Sequence, residues 1–198
     1  MHTPLAAAAL SLAREHELAS VLNHSIRTHE YAAMHAQKTG VTDFDPELLY
    51  VSCVLHDLGA SDAFDGPQRF EVEAADVAAE LVRSHGRTEQ DADQVWQGIA
   101  LHTSPGIAER RGPVVALTRI GVRIDFHSVM IPAGDRAAME AQYPRLGLDT
   151  ELGALVAAQA LKQPEKARAS SWPADLVREL HPGTPTPAAW RHPAWNGG

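Results

Sequence analysis

The sequence lacks the features that mark secreted, membrane-spanning or nucleic-acid-binding proteins. It has one cysteine in 198 residues, which excludes a disulfide framework and fits a reducing compartment. No run reaches the roughly 18 apolar residues that a membrane span requires. The formal net charge is −8, whereas a nucleic-acid surface needs a basic stripe. We therefore expect a cytoplasmic protein that acts on a small molecule, with neither nucleic acid nor a membrane as its partner.

Length and patterning favour an all-α protein with one core. Hydrophobic residues make up 44% of the chain, an ordinary share for a globular domain. Helix-start signals recur at Asp45-Pro46, at Thr88 to Asp91 and at Pro113, and no alternating strand pattern is present. We expect a single helical domain over residues 1–180 and an extended or disordered Pro/Gly-rich tail over 181–198. The sequence leaves the formation of a homo-oligomer open.

One apolar run, residues 51–55, ends in the adjacent pair His56 and Asp57, and Gly59 stops it. Transition-metal dications prefer imidazole nitrogen together with carboxylate oxygen. Neighbouring residues on a helix point about 100° apart, so such a pair converges on one ion only at a helix end. A buried polar pair that caps the helix is the alternative interpretation.

Four further polar residues stand at predicted helix ends in apolar surroundings: His24, His85, His102 and Asp125. Burying a carboxylate such as Asp125 costs several kcal/mol unless it is paired or coordinates a metal. In a helical bundle these side chains can meet at the centre, as they do in other bundle metal sites. The set therefore predicts a site for one divalent metal.

The order His24, His56-Asp57, Asp125 resembles the H…HD…D pattern of the HD-domain superfamily, whose members are helical metal-dependent enzymes. This resemblance implies an HD-domain helical bundle with a metal at its centre, ligated by those four residues. It also implies that histidines at positions 85 and 102 line the pocket or bind a second metal. Four flanking segments, over roughly residues 20–130, resemble the cyanamide hydratase branch: Asn23-His24-Ser25, Leu55-His-Asp-Leu-Gly59, Arg69-Phe-Glu-Val-Glu-Ala74 and Ile99-Ala-Leu-His-Thr-Ser-Pro-Gly106.

One departure from many HD phosphohydrolases concerns the residues after the His-Asp pair. Those enzymes carry a lysine in an HDxGK-type run, whereas this chain has Ala60 there and no basic residue before Arg69. A phosphate ester needs cationic groups near the metal. This absence favours a different substrate class.

The resemblance implies a hydratase (hydro-lyase) that adds metal-bound hydroxide to a small nitrile such as cyanamide, giving urea. Zn²⁺ is the expected metal, with Fe²⁺ and Mn²⁺ as alternatives, because no thiolate is available to decide among them. Asp57 is expected to take the proton from the bound water. His85 or His102 is expected to donate a proton to the developing nitrogen anion, a task suited to imidazole near pH 7.

Three residues are candidates for contact with the substrate. Phe64 and Phe70 flank a loop after the His-Asp pair, where they would form a dry wall of the pocket or pack in the core. Glu73 is an alternative acid, or a solvated charge at a helix start.

Three other functions remain open. A phosphohydrolase acting on a nucleotide or another phosphate ester is the main alternative. A two-iron oxidative enzyme is a further one, because His85 and His102 would complete a second metal site. The last is a helical module that keeps a structural metal and binds a partner.

Overall fold

The computed structural model describes residues 3–127 and 131–184. Most of the predicted tail over 181–198 therefore lies outside the described residues. Within them the chain forms nine α-helices and no strand, which confirms the all-α prediction: α1 (Pro4–His16), α2 (Ala19–Thr39), α3 (Pro46–Leu55), α4 (Phe70–Ser84), α5 (Glu89–Ala100), α6 (Pro113–His127), α7 (Ala133–Gln142), α8 (Leu148–Lys162) and α9 (Trp172–Leu180). None of the helices in this part of the chain has the length and apolar character needed to cross a membrane.

Local capping signals set the start of several helices. The Asp45 side chain accepts hydrogen bonds from the backbone N–H groups of Glu47 and Leu48 at 2.8 and 3.3 Å, with Pro46 in the first helical position. Thr88 is the N-cap residue of α5 and forms the predicted capping box with Asp91. These helix starts are confirmed.

The start of α2 differs from the prediction. A cap at Asn23 or Ser25 would place His24 at a helix start, but α2 begins at Ala19 and His24 lies within the helix. Tertiary contacts explain the earlier start, because the Ser20 hydroxyl donates to Glu151 and Val21 is buried against the helix α8. These contacts outweigh the local capping signal.

The helix α3 lies at the centre of the bundle, with α1, α2, α5 and α6 packed around it. Seven of its ten residues are buried, which is why the sequence shows an apolar run there rather than a stripe. The main core lies between α1, α3, α4 and α5 and is formed largely of alanine, valine and leucine.

Two glycines allow helices to approach closely near this centre. A Cβ at position 121 would lie 2.2 Å from the carbonyl oxygen of Thr28, so Gly121 lets α6 pack directly on the backbone of α2. A Cβ at position 59 would lie 2.0 Å from the carbonyl oxygen of Phe70. Gly59 therefore allows the turn after α3 to rest on the first residue of α4.

The helices α8 and α9 cover one side of this turn. Leu148, Leu152 and Val156 of α8 pack in a second cluster with Ala60 and Phe70. A side-chain amide of α8 also reaches the turn, since Gln159 Nε2 donates to the Gly59 carbonyl at 2.9 Å. The last third of the chain thus forms part of the surroundings of the His-Asp pair.

Candidate metal centre

His56 and Asp57 lie just beyond the last residue of α3. His56 keeps helical backbone angles (φ −64°, ψ −27°), whereas Asp57 leaves the helix at φ −105° and ψ 4°. A short 3₁₀ turn over Leu58–Ala60 follows. Because the chain departs from the helix here, Oδ2 of Asp57 comes to 3.1 Å from Nε2 of His56. The two neighbours therefore converge, as the helix-end argument predicts.

His24 of α2 completes a compact group with this pair. Its Nε2 lies 3.2 Å from Nε2 of His56 and 3.5 Å from Oδ2 of Asp57. All three side chains are buried, and one ligand atom from each lies within 4.8 Å of the others. A tetrahedral zinc site with bonds of about 2.0–2.1 Å holds its ligand atoms about 3.3 Å apart. The spacing of the group fits one metal ion between them.

Hydrogen bonds on the far side of each ring determine which nitrogen carries the hydrogen. Nδ1 of His56 lies 2.7 Å from the carbonyl of Cys53, and because a carbonyl only accepts, Nδ1 is the donor. Nδ1 of His24 in the same way donates to the Asp125 carboxylate at 2.6 Å. In the neutral rings both Nε2 atoms then present lone pairs to each other. Two lone pairs at this distance require a cation between them.

Both carboxylate oxygens of Asp57 are buried without a hydrogen-bond partner among the described residues. Burial would raise the pKa of Asp57, but attraction to His56, followed by smaller contributions from His24 and His102, holds this pKa well below its usual range. The carboxylate is therefore ionised, and an ionised carboxylate at this depth needs a cation. It is a suitable metal ligand.

A proton is the other cation that satisfies the group. Burial lowers the pKa of His56, but the neighbouring Asp57 outweighs burial and the pKa is raised overall. A proton on Nε2 of His56 would occupy the position that a metal needs. Metal and proton therefore compete for this group, as at other imidazole metal sites.

Asp125 of α6 lies on the far side of His24, where Arg27 holds it. Arg27 donates from Nε to Oδ1 at 2.7 Å and from Nη2 to Oδ2 at 2.8 Å. Burial would raise the pKa of Asp125, but hydrogen bonds from Arg27 and His24 keep it well below its usual range. Both oxygens are thus engaged on the Nδ1 side of His24, outside the three-residue group. Here Asp125 orients the ring, as carboxylate partners of metal-binding histidines do; direct ligation by Asp125 stays a prediction.

His102 places a third imidazole beside the group. It lies in the turn after α5, where its Nδ1 donates to the Ile99 carbonyl at 2.7 Å. Its Nε2 is 3.6 Å from Oδ1 of Asp57, and its ring meets that of His56 edge-on with centroids 4.8 Å apart. Burial, followed by the charge of His56, lowers the pKa of His102 to about 4. The ring is therefore neutral at pH 7, and Nε2 can accept a proton.

The group lies at the wall of a cavity of about 530 Å³. Besides the histidines and Asp57, the wall includes apolar side chains and two arginines: Val122, Phe126, Leu152, Trp172, Arg119 and Arg123. The helix α6 supplies one side of the cavity, and α8 and the first turn of α9 supply another. The cavity is large enough for a small-molecule substrate.

The two phenylalanines predicted as substrate contacts do not line this cavity. Phe64 packs edge-on against His16, with ring centroids 5.1 Å apart. Phe70 is buried behind the wall, where its ring lies 5.7 Å from those of His102 and Trp172. Phe64 therefore packs, partly buried, against the main core, and Phe70 supports the wall without being part of it.

Two predicted polar residues also lie outside the cavity. His85 is exposed at the end of α4, and its Nδ1 donates to the Leu81 carbonyl at 2.8 Å. Glu73 accepts a hydrogen bond from the backbone N–H of Gln68 at 2.5 Å and so stabilises the loop before α4. His85 is therefore not placed to donate a proton or to complete a second metal site, and Glu73 is not placed to act as an acid.

Sequence reasoning missed two buried partners of the site. Arg27 follows His24 by three residues on α2, a spacing that puts both on one face and was a usable signal. Glu71 is fully buried and accepts hydrogen bonds from Arg69 and Thr103 at 2.6 and 2.7 Å. Thr103 is far from Glu71 in the chain, so no local pattern revealed this contact.

Two comparisons with known proteins agree with this geometry. The family model of the HD domain matches residues 21–125, more than half of the chain. The chain is also 30% identical over 135 residues to two proteins of Saccharomyces cerevisiae, the cyanamide hydratases DDI2 and DDI3. The aligned stretch covers 65% of this chain and 60% of each yeast protein, so it spans less than two thirds of the relatives' length.

The resemblance inferred from the sequence is confirmed by these matches. The matched residues begin in α2 and end at Asp125, and they include His24, His56 and Asp57. The helical architecture and the buried group at its centre are those expected of the matched family. On this evidence, the chain belongs to the HD-domain family.

Proposed function

We propose that this protein is a metal-dependent hydratase that adds water across the C≡N bond of a small nitrile such as cyanamide. With cyanamide, the added water gives isourea, which rearranges to urea. The observation that carries the proposal is the convergence of imidazole lone pairs and an ionised carboxylate at the wall of a cavity. The two yeast relatives are named cyanamide hydratases, which supports a nitrile as substrate.

In this proposal His24, His56 and Asp57 hold one divalent metal, and Asp125 with Arg27 keeps His24 oriented. A bound dication supplies Lewis acidity and lowers the pKa of water, for Zn²⁺ to about 7. Zn²⁺ is our first choice, with Fe²⁺ and Mn²⁺ as alternatives, because nitrogen and oxygen ligands suit all three.

His102 is the proposed catalytic base. The sequence led us to expect a proton donor, but Nδ1 of His102 is committed to the Ile99 carbonyl and Nε2 therefore lacks a hydrogen in the neutral ring. Nε2 must first accept a proton from the attacking water, and it can then return that proton to the nitrile nitrogen. Asp57, whose Oδ1 lies 3.6 Å from this Nε2, is the alternative acceptor.

A phosphohydrolase is the second candidate, and the structure supplies an observation in its favour. The segment after the His-Asp pair has no basic residue before Arg69, but Arg119 and Arg123 of α6 line the cavity. Cationic groups of this kind stabilise a phosphoryl group. The cavity wall therefore carries cationic groups even though the segment after the His-Asp pair has none.

We place the activity in the cytoplasm. The one cysteine, Cys53, is buried and free, and a chain without disulfides suits a reducing compartment.

The deciding experiment measures metal content and urea formation in the same preparation. Zinc-loaded protein, freed of excess metal, is expected to contain one zinc per chain and to form urea from cyanamide. Chelator-treated protein and an Asp57→Asn variant are the matched controls, and both should lose the activity. One zinc per chain without urea from cyanamide would discard cyanamide as the substrate, and failure to hydrate any nitrile, cyanoacetate included, would discard the nitrile reaction. Phosphate release from phosphate esters would then establish the second candidate.

A further inference from the structure

The cavity is much larger than cyanamide requires. Its volume is about 530 Å³. Cyanamide has three non-hydrogen atoms and occupies roughly the space of two water molecules, each about 30 Å³. A substrate that filled the cavity would therefore carry a further group away from the reacting carbon.

The chemistry of the wall indicates what this group is. Arg119, Arg123 and His127 are spaced four residues apart along α6, and all three line the cavity. Like charges at this spacing repel and destabilise an isolated helix. The two arginines therefore concentrate positive charge on the side of α6 that lines the cavity, and an anionic ligand would relieve their mutual repulsion.

The charges of Arg119 and Arg123 influence each other, and both residues line the cavity, Arg119 mostly buried and Arg123 exposed. Arg119 donates from Nη1 to the His102 carbonyl at 2.9 Å, while its Nε has no hydrogen-bond partner among the described residues. Oε1 of Glu109 lies 3.7 Å from that Nε and partly neutralises Arg119, while Oε2 of the same carboxylate accepts a hydrogen bond from the backbone N–H of Gly106. Arg123 is exposed, and within the described parts of the chain no carboxylate lies within 4.0 Å of it.

The remaining charge on the wall does not cancel this row. Asp175 also lines the cavity, but it lies at the start of α9 and is ion-paired with Arg178. Phe126 and Trp172 add apolar surface to the same wall, and the Phe126 ring centroid lies 4.8 Å from that of His24. The wall thus combines the imidazoles and the carboxylate of the metal group with apolar surface and two arginines.

We infer that the substrate carries an anionic group apart from its nitrile, and that Arg119 and Arg123 bind this group in the cavity. The inference rests on the proposed function for the reacting end of the substrate. It names the substrate class as nitriles bearing a carboxylate or phosphonate type of anion. Arginine suits this task because its planar guanidinium can donate two hydrogen bonds to such a group.

The test measures binding to zinc-loaded protein by calorimetry. Cyanoacetate and cyanoacetamide share a nitrile and a similar shape but differ in charge, and wild-type protein is expected to bind cyanoacetate about tenfold more tightly. Arg123→Gln should remove most of this preference, and added salt should weaken it. Arg14→Gln, a substitution on the exposed face of α1, should retain it.

Further measurements identify the type of anion and show whether it binds at the arginines or at the metal. If cyanomethylphosphonate binds more tightly than cyanoacetate, the anionic group of the substrate is phosphate-like. If it binds more weakly, the group is a carboxylate. Equal binding of cyanoacetate and cyanoacetamide overturns the inference, as does a preference that survives Arg123→Gln. An anion preference that survives Arg123→Gln but is lost on removal of zinc would place the anion on the metal, which also overturns it.

Binding and turnover are measured in separate experiments. The hydratase proposal and the inference about an anionic substrate can therefore each be overturned without the other. A preference for the anion without hydration of any nitrile would overturn the hydratase proposal alone. Hydration of cyanamide without any preference for an anionic nitrile would overturn the inference about substrate class alone.

Discussion

The carboxylate of Asp125 accepts a 2.6 Å hydrogen bond from Nδ1 of His24, and this contact decides which ring nitrogen of His24 meets His56. Because Nδ1 carries the hydrogen, Nε2 is left as a lone pair directed at the buried group. Arg27 neutralises Asp125 on its other side. The orientation of one candidate ligand therefore depends on a charged pair that is itself outside the group.

Asp125→Asn tests whether Asp125 orients His24 or binds the metal itself. If it orients the ring, zinc affinity is expected to fall about 10–100-fold, because the weaker acceptor leaves His24 less well positioned. The affinity is measured by competition with a chelator of known strength. Asp135→Asn, at an exposed position on α7, is the control and should bind zinc as the wild type does. Complete loss of zinc at Asp125→Asn would instead identify a direct ligand.

Arg27→Ala is expected to destabilise the metal-free protein by about 2–4 kcal/mol, since it removes the two-hydrogen-bond partner of buried Asp125 and leaves it only His24 and the more distant Arg145, 3.4 Å from Oδ1. The free energy of unfolding is obtained from urea denaturation. Arg14→Ala on the surface of α1 should change it by less than about 0.5 kcal/mol. A loss below about 1 kcal/mol at Arg27 would show that Arg145 or water takes over as the partner of Asp125.

His102→Ala is expected to lower kcat for nitrile hydration by about 10²–10⁴-fold, because Nε2 of His102 is the proposed proton acceptor. The zinc content should stay at the wild-type value, since His102 is outside the three-residue group. His85→Ala is the matched control, because His85 is exposed and away from the cavity, and its kcat should be unchanged. Equal activity of both variants would remove His102 from the mechanism.

Cys53 gives a prediction for alkaline pH. Burial, partly offset by a hydrogen bond with Thr118, raises the pKa of the Cys53 thiol to about 12, whereas an unfolded cysteine has a pKa of about 8.5. Below pH 8.5 both states hold the proton, so Cys53 has no effect on stability. Above it the unfolded state loses the proton and the native state keeps it, so stability falls by up to about 1.4 kcal/mol per pH unit until about pH 12.

The same pKa predicts that iodoacetamide at pH 9 modifies Cys53 only after unfolding, because the thiolate is the nucleophile. Mass spectrometry with and without urea measures this directly. A Cys53→Ala variant should lose the alkaline decline in stability that Cys53 causes. Rapid modification of the native protein would mean that α3 opens at its centre.

Gly59→Ala is expected to destabilise the protein by about 1–3 kcal/mol and to weaken zinc binding, because the added Cβ would lie 2.0 Å from the Phe70 carbonyl and displace the turn after Asp57. Gly134→Ala is the control: it lies in α7 with nothing within 4 Å of a new Cβ, and it should stabilise by about 0.5–1 kcal/mol. Unfolding by urea and zinc affinity are measured for both. Unchanged zinc affinity at Gly59→Ala would show that the turn can shift without moving the carboxylate.

The parts of the fold and site that depend on local sequence could be predicted. The start of α3 at Asp45-Pro46 and the convergence of His56 and Asp57 at its end follow from capping and from helix geometry. These signals lie within a few residues of the feature that they predict.

What could not be predicted depends on contacts between distant segments. Nothing near Asp125 indicates that Arg27 would hold both of its oxygens from another helix. The exposure of His85 likewise follows from how α4 packs, because a histidine before a glycine at a helix end occurs both inside and outside cores. The arginines of the cavity were present in the sequence, but only the packing of α6 shows that they face it.

The cavity wall formed by α8 and α9 has a consequence for substrate choice. The family match ends at residue 125, whereas Leu152 and Trp172 come from the stretch after it. The candidate metal ligands and part of the cavity wall are therefore encoded in separate, consecutive segments. Substitutions at Leu152 or Trp172 are thus expected to change which molecules the cavity admits while leaving His24, His56 and Asp57 in place.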